Sequence, residues 1–338
     1  MIAEPPIVSV LLPSYNAAAY LAEAISSALS QSFADLEVLV LDNASTDDSP
    51  AVVASFSDSR LRYIRNKVNL GYAGNVELGR SLARGKYAVV LNADDAWEPT
   101  YLQNTVALLD AQPGVVFVHT SITLIDEAGA PFGENVTGWD RLTNGRDAFA
   151  KCFIAGFSSP TMLMRNDVLQ TIPPLPTGEP WAKVADCWLF LQLCLRGDVG
   201  FINQRLMRYR VHSSSLMFES YLDGTFFSRR LATVREAFAW SECRSWANPS
   251  QRRMVTNAVA RAMIAILPAA RAGRGRWVFV RAFTQIAREA PVVLLYPASW
   301  ARLMYGLLPW LVIQRLRARK RNRWAVRHAN PQDTPVRI

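Results

Sequence analysis

Residues 36–49 read LEVLVLDNASTDDS, a short run dense in Leu and Val, then an aspartate and a turn rich in Asn, Ser, Thr and Asp. An apolar run of strand length, stopped by turn-forming side chains, predicts a strand buried on both faces. The same unit recurs on either side. Upstream, residues 7–12 (IVSVLL) form a β-rich run closed by Pro13, and residues 17–31 carry Ala18, Leu21, Ile25, Ala28 and Leu29 at helical spacing. Downstream come a helix near 50–57, a strand at 61–65 (LRYIR), a helix near 72–84 and a strand at 86–91 (KYAVVL). Strands alternating with helices predict an α/β domain, a mostly parallel sheet with helices on both faces.

In such sheets ligands sit beyond the carboxyl ends of the strands. The polar clusters of this chain fall there: Pro13-Ser14-Tyr15-Asn16 after the first strand, Asp42 to Asp47 after the second, Asn92-Ala93-Asp94-Asp95 after the fourth. Each has two readings. Asp94 and Asp95 can hold a hard divalent ion that bridges the phosphates of a nucleoside diphosphate, or they cap the next helix. Asp42 can accept from the imide N–H of uracil or thymine, or it closes an Asx-turn. Tyr15 lies flat against a base, or it packs into the core.

The combined order VSVLLPSYN, LEVLVLDNASTDDS, NLGYAGN and G-x-Y-x-V-x-L-N-A-D-D, over about residues 7–104, resembles the family 2 glycosyltransferases with the GT-A (Rossmann-like) fold. That resemblance implies an inverting transfer of a sugar from a nucleotide-sugar donor. Pro13, Tyr15, Asn16 and Asp42 would hold the base and ribose, and Asn69, Gly71 and Asn75 would line the donor pocket. Asp94 and Asp95 would be the metal-binding Asp-x-Asp-type pair, taking Mn2+ or Mg2+. Many relatives carry an aspartate where this chain has Asn92.

The resemblance resumes at 183–212. Residues 183–196 read as a strongly amphipathic helix with Leu189, Leu191, Leu193 and Leu195. Asp186 near its start resembles the general base of inverting members, which would take the proton from the acceptor hydroxyl; the other reading is a helix N-cap. Here Ala185 stands where a glutamate is often found. In RYRVHSSS (208–215), His212 would reach the metal or the diphosphate, and Arg208 and Arg210 would pair with phosphate oxygens, or the run is a solvent-facing strand end. His119 and His328 have no supporting partners and read as structural.

From about 217 onward the pattern is helical, so residues 1–220 are expected to form the catalytic domain and 221–338 a helical appendage. The formal net charge of +9 belongs largely to that appendage. No acidic residue lies between Glu289 and Asp333, while Arg302, Arg315, Arg317, Arg319, Lys320, Arg321, Arg323 and Arg327 are basic. Residues 290–313 are rich in Leu, Trp and Tyr but broken by Pro291, Pro297, Arg302 and Pro309, too interrupted for a spanning helix. Interfacial helices on an anionic membrane surface are one reading; a homo-oligomer interface and a solvated tail are the others. Nucleic-acid binding finds no helix-turn-helix or RNA-binding signature. The four cysteines, Cys152, Cys187, Cys194 and Cys243, show neither C-x-x-C nor zinc spacing. With no basic signal-peptide region at the N-terminus, the expected location is cytoplasmic, peripheral on the inner face of the cell membrane. Acceptors implied are a glycan or a lipid-linked saccharide in surface polysaccharide or glycolipid synthesis. The donor stays open between UDP-sugars, dTDP-rhamnose and GDP-mannose, and a catalytically silent nucleotide-sugar-binding scaffold is the rival function.

Overall fold

The run around residues 7–12 becomes the middle of a sheet. The computed structural model describes residues 4–135, 138–155, 159–178, 181, 184–212, 225–266, 280, 283–284, 286–288, 290–297 and 299–300. The strands are β1 (Val8–Ser14), β2 (Leu36–Asp42), β3 (Leu61–Arg65), β4 (Tyr87–Val90), β5 (Ala96–Trp97), β6 (Val115–Ile125), β7 (Pro131–Asn135), β8 (Leu142–Thr143), β9 (Leu163–Arg165) and β10 (Asp198–Arg210). The helices between them are α1 (Ala18–Leu29), α2 (Ser49–Ala54), α3 (Gly71–Leu82), α4 (Tyr101–Ala111), α5 (Gly145–Ala155), α6 (Asn166–Gln170) and α7 (Ala185–Cys194). The strand order is β3-β2-β1-β4-β9-β6-β10-β5, with β7 on β6 and β8 on β10.

The first half is parallel: β1 pairs with β2 and β4, and β2 with β3. The second half adds antiparallel pairs to the parallel sheet expected from the sequence. The short β9 runs antiparallel between β4 and β6, and β5, β7 and β8 also pair antiparallel, while β6 and β10 are parallel. β6 is one continuous strand, and β10 runs unbroken from Asp198 into the RYR of RYRVHSSS, with register shifts along its pairing with β6.

Pro13 sits inside β1, opposite Leu41 of β2. Its backbone faces the same side as Leu11, whose carbonyl accepts from Leu91, and pairing with β4 ends at Leu11 and Val90. A proline there breaks no ladder bond. The strand order also reverses there, since the chain runs outward from β1 to β3 and returns to β4 on the other side. Such a switch point leaves a crevice at the strand ends. The core beneath is built from Val8, Val10, Leu12, Val38, Val40 and Val89 with Leu21 and Ile25 of α1. On the other face, α3 presses closely on the sheet: a Cβ at Gly79 would lie 2.6 Å from the Leu41 side chain.

Helix α7 departs from the amphipathic expectation. Every residue from Cys187 to Cys194 is buried, and the helix packs on α5 and β6. Leucines at every second position cannot share one helical face, and a helix apolar all round is a buried helix.

The chain divides into two compact units, 1–177 with 185–210 (and the last two residues), and 178–184 with 211–336. The boundary expected at 220/221 lies outside the described residues. In the second unit the described elements are helical: α8 (Thr225–Ala237), α9 (Ser241–Arg244), α10 (Pro249–Ile266) and a 3-10 turn at Pro291–Leu295. The basic run 315–327 and all of the apolar segment after residue 300 also lie outside the described residues.

Candidate active site

The loops after β1 and β2 are tied to each other. Asn43 N donates to the Ser14 carbonyl (2.8 Å), Asn16 N to Ser45 Oγ (3.0 Å), and Thr46 N to Asn16 Oδ1 (2.8 Å). Asn16 (φ 49°) and Ala44 (φ 63°) are held in the left-handed region, which costs a non-glycine residue roughly 1–2 kcal/mol. The cross-loop bonds offset that cost. Tyr15 at the tip is 51% exposed, so its ring is not part of the core.

Asp42 ends β2 almost wholly buried. Its Oδ1 accepts from Ser45 N (2.8 Å), the turn bond that the bland reading expects, and its Oδ2 accepts from the Tyr63 hydroxyl (2.5 Å). Arg65 Nε stands 3.7 Å away. Burial, reinforced by Asp42, pushes the Tyr63 phenol up to about 12, so it remains a donor to that carboxylate.

Four asparagines brace the start of α3 against β2. Asn43 Nδ2 donates to Asn69 Oδ1 (2.7 Å), and Asn43 Oδ1 accepts from Asn66 Nδ2 (3.0 Å) and Leu70 N (2.8 Å). Asn69 Oδ1 also accepts from Gly71 N (2.8 Å), where φ is +71°. Asn69 and Gly71 are exposed at the crevice. Asn75 is the exception: it is buried, donates to the Leu41 carbonyl (2.7 Å) and accepts from Asn66 Nδ2 (3.0 Å). It supports the pocket from behind rather than lining it.

After β4 the two aspartates differ. Asp94 is half-buried and Asp95 buried. Asp95 Oδ1 accepts from Arg210 N (2.9 Å) and Oδ2 from Asn92 Nδ2 (3.2 Å). Burial and then the Asp94 charge push the Asp95 carboxyl well above the usual carboxylate range, against those bonds and the Arg210 charge. The pair thus carries negative charge that its surroundings neutralise only in part. Among the described residues no cluster of three or more His, Cys, Asp or Glu side chains is gathered for a metal. Two hard carboxylates with the remaining positions left to phosphate oxygens and water is the donor set that Mg2+ and Mn2+ take at nucleotide sites. The residue types present fit such an ion, which Asp94 and Asp95 would hold.

Asp186 lies in the first turn of α7, half-buried, and accepts from the adjacent Cys187 N (2.8 Å). It shares a small pocket with Tyr72, Val76, Val90, Met162, Met164, Leu175 and Leu189. Tyr72 joins the two halves of the site. Burial raises its phenol far above its ordinary value, and the charges of Asp186, Asp94 and Asp95 each add to the shift. Three carboxylates from sequence positions ninety residues apart thus act on one hydroxyl. Tyr72 lies within NLGYAGN, yet its type gave no signal, because an aromatic at helical spacing reads as core.

Arg210 corrects the phosphate-pairing expectation. Its buried guanidinium donates to the carbonyls of Asp94 (2.9 Å), Asp126 (3.1 Å) and Glu127 (3.2 Å), pairs with Glu23 and stacks on Tyr20. Arg208 is also engaged, 3.0 Å from Glu23 and 3.6 Å from Glu98, beside a cleft of about 450 Å³. Glu23 was not legible as a partner because α1 is remote from β10 in sequence. His212 follows β10 by two residues, in the second unit.

The family described as Glycosyl transferase family 2 matches residues 9–172. Over this span, just under half of its length, the chain is similar to that family. The span includes the three polar loops of the first unit. The glycosyltransferase is 26% identical over 212 residues to the Escherichia coli UDP-Glc:alpha-D-GlcNAc-diphosphoundecaprenol beta-1,3-glucosyltransferase WfgD, covering 62% of this chain and 79% of that one. It spans about two thirds of the length of the first curated relatives it matches. Among solved structures, S. aureus TarS 1-349 in complex with UDP-GlcNAc superposes with a TM-score of 0.63 at 14% identity, covering 88% of each chain. The mannosyltransferase PcManGT from Pyrobaculum calidifontis, in complex with GDP-Man and Mn2+, gives 0.53 at 18% identity, covering 98% of this chain and 89% of that one. The fold is GT-A.

Proposed function

We propose that this glycosyltransferase moves a sugar, with inversion, from a nucleoside-diphosphate donor of the UDP-sugar class to a hydroxyl of a glycan or lipid-linked acceptor. The observation that carries this reading is that Tyr72 lines one pocket with Asp186 and hydrogen-bonds Asn92, which in turn bonds Asp95, beyond the strand ends at the switch point of the sheet. Asp42, Tyr15 and Asn16 form the base and ribose end, with Pro13 inside the strand beneath them, opposite Leu41. A divalent ion on Asp94 and Asp95 would neutralise charge on the departing diphosphate. Asp186 accepts the proton of the acceptor hydroxyl, which becomes acidic only as its oxygen bonds the anomeric carbon. Displacement from the far side inverts that carbon without a covalent enzyme intermediate. The donor and acceptor class is supported by what the E. coli relative is named for.

A thermal-shift panel of UDP-, dTDP- and GDP-sugars with and without Mn2+ tests the donor, since bound donor stabilises the fold by mass action. A UDP-sugar should raise the melting temperature further with metal than without, and Asp94→Ala or Asp95→Ala should remove that metal-dependent rise. Asp186→Asn should still bind donor while transfer collapses. Parental transfer by Asp186→Asn removes it as the base.

The second unit supports association with a membrane surface at the cytoplasmic face. Leu295 is 78% exposed and Trp300 48% exposed, and the basic stretch from Arg302 to Arg327 follows directly in sequence. None of the helices among the described residues is long and apolar enough to cross a bilayer. Removing residues 290–338 should release the protein from anionic vesicles but leave it unbound to neutral ones in either form. Equal sedimentation of the shortened chain with anionic vesicles defeats this reading.

A further inference from the structure

Asn92 stands between two residues of the site. Its Oδ1 accepts from the Tyr72 hydroxyl (3.4 Å), and its Nδ2 donates to Asp95 Oδ2 (3.2 Å). Arg210 N holds the other oxygen of Asp95 at 2.9 Å. Asp95 is buried, so these donors and not solvent set the plane of its carboxylate, and each oxygen keeps a second lone pair for a cation. Tyr72 comes from α3, whose first turn is fixed to β2 by Asn43 and Asn75. A continuous line of contacts therefore runs from the helix beside the donor pocket to the carboxylate pair. An aspartate at position 92 would have no N–H to offer Asp95 and would set a third negative charge against it.

We propose that Tyr72 and Asn92 are positioning residues, a hydrogen-bonded chain in which Tyr72 orients Asn92 and Asn92 aims the Asp95 carboxylate at the divalent ion. The inference rests on the reading of Asp94 and Asp95 as ligands of that ion, and it assigns the amide at 92 a purpose that a third carboxylate cannot serve. Partners that orient metal ligands are worth about 10–100-fold in metal affinity.

The test is a double-mutant cycle on the full chain, with Mn2+ affinity read by electron paramagnetic resonance in the presence of UDP. Tyr72→Phe deletes one oxygen and keeps the ring packed, so its melting temperature should stay at the parental value. Tyr72→Phe and Asn92→Ala should each weaken Mn2+ binding about tenfold, and the double variant should be no weaker than Asn92→Ala alone, because Tyr72 acts through Asn92. If Asn92→Ala does not fold, Asn92→Leu, which keeps the volume and removes both polar atoms, takes its place in the cycle, with the same non-additivity expected. Parental Mn2+ affinity in Tyr72→Phe, or losses that multiply in the double variant, overturns the inference while leaving the metal pair intact. A parent protein that binds no Mn2+ with UDP overturns the metal reading and the inference together.

Discussion

Replacing Arg210 by lysine separates two readings of the segment that ends β10. If the guanidinium faced the donor, losing its fork would weaken phosphate binding and leave the fold untouched. The structure instead commits it to three carbonyls, of Asp94, Asp126 and Glu127, and to Glu23. A lysine nitrogen cannot reach all four, and the bond to the Asp94 carbonyl, made through Nε, has no counterpart on a lysine. Hydrogen bonds from a charged donor are worth roughly 1.5–3 kcal/mol each. The Glu23 end is about a third open to water, at 37% exposure, so solvent recovers part of what is lost. A net loss of about 3 kcal/mol is expected, or roughly 6–12 °C in melting temperature for a unit of this size. Differential scanning calorimetry and urea unfolding measure it, and UDP affinity is read below the new transition. UDP affinity without metal should stay within about threefold of the parent. A parental melting temperature combined with weakened UDP binding would refute the structural assignment and return Arg210 to the phosphates.

Two further predictions concern buried ionisable groups. His119 is enclosed by Phe117, Trp139, Phe190 and Phe201, and neither ring nitrogen has a hydrogen-bond partner among the described residues. His119→Phe should be more stable by about 1–2 kcal/mol at pH 7, since orphaned polar groups cost roughly 1–3 kcal/mol and one extra ring atom adds strain of about 1 kcal/mol. Burial, then Lys151, holds His119 down to about 3 from an ordinary 6.5. The unfolded chain therefore takes up a proton that the folded chain refuses. Parental stability should fall as pH drops from 6.5 toward 3, by at most about 1.4 kcal/mol per pH unit from this group. Urea unfolding at several pH values should show that slope flattened in the variant; an unchanged slope means the imidazole is solvated. Glu37, at the opposite end of the strands, tends upward through burial, but bonds from Arg84, Ser9 and Arg62 outweigh this and hold it below its ordinary 4.5. A lowered carboxyl stabilises above that value and loses its contribution as pH falls through the folded pKa. Glu37→Gln should cost about 2 kcal/mol at pH 7, with the gap closing in acid. A gap that does not begin to narrow as pH falls below 4.5 would show packing, not charge, at work.

Much of the first unit was determined locally, and for that reason the sequence displayed it. A strand buried on both faces must be apolar throughout, and its end must carry turn chemistry, so LEVLVL followed by DNASTDD announces both a strand and its polar loop. Pro13, Asp42 and the Asp94-Asp95 pair were legible as strand-end residues on that ground. Asp186 was legible only through its likeness to a family pattern, because an aspartate opening a helix has an ordinary capping use. What tertiary structure alone decided concerns pairs of segments distant in the chain. The burial of α7 on all sides depends on α5 and β6 closing over it, and alternating leucines cannot report that. The antiparallel β9 between β4 and β6 is too short to carry a periodic signal. Arg210 looked like a phosphate ligand because its type and place near a strand end permit one, but Glu23 and three carbonyls from remote loops had already taken its donors. Tyr72 and Asn92 reached their places at the carboxylates in the same way. Periodicity and turn chemistry act between neighbours in sequence, whereas the partner that satisfies a buried polar group is supplied by whichever segment folding brings beside it.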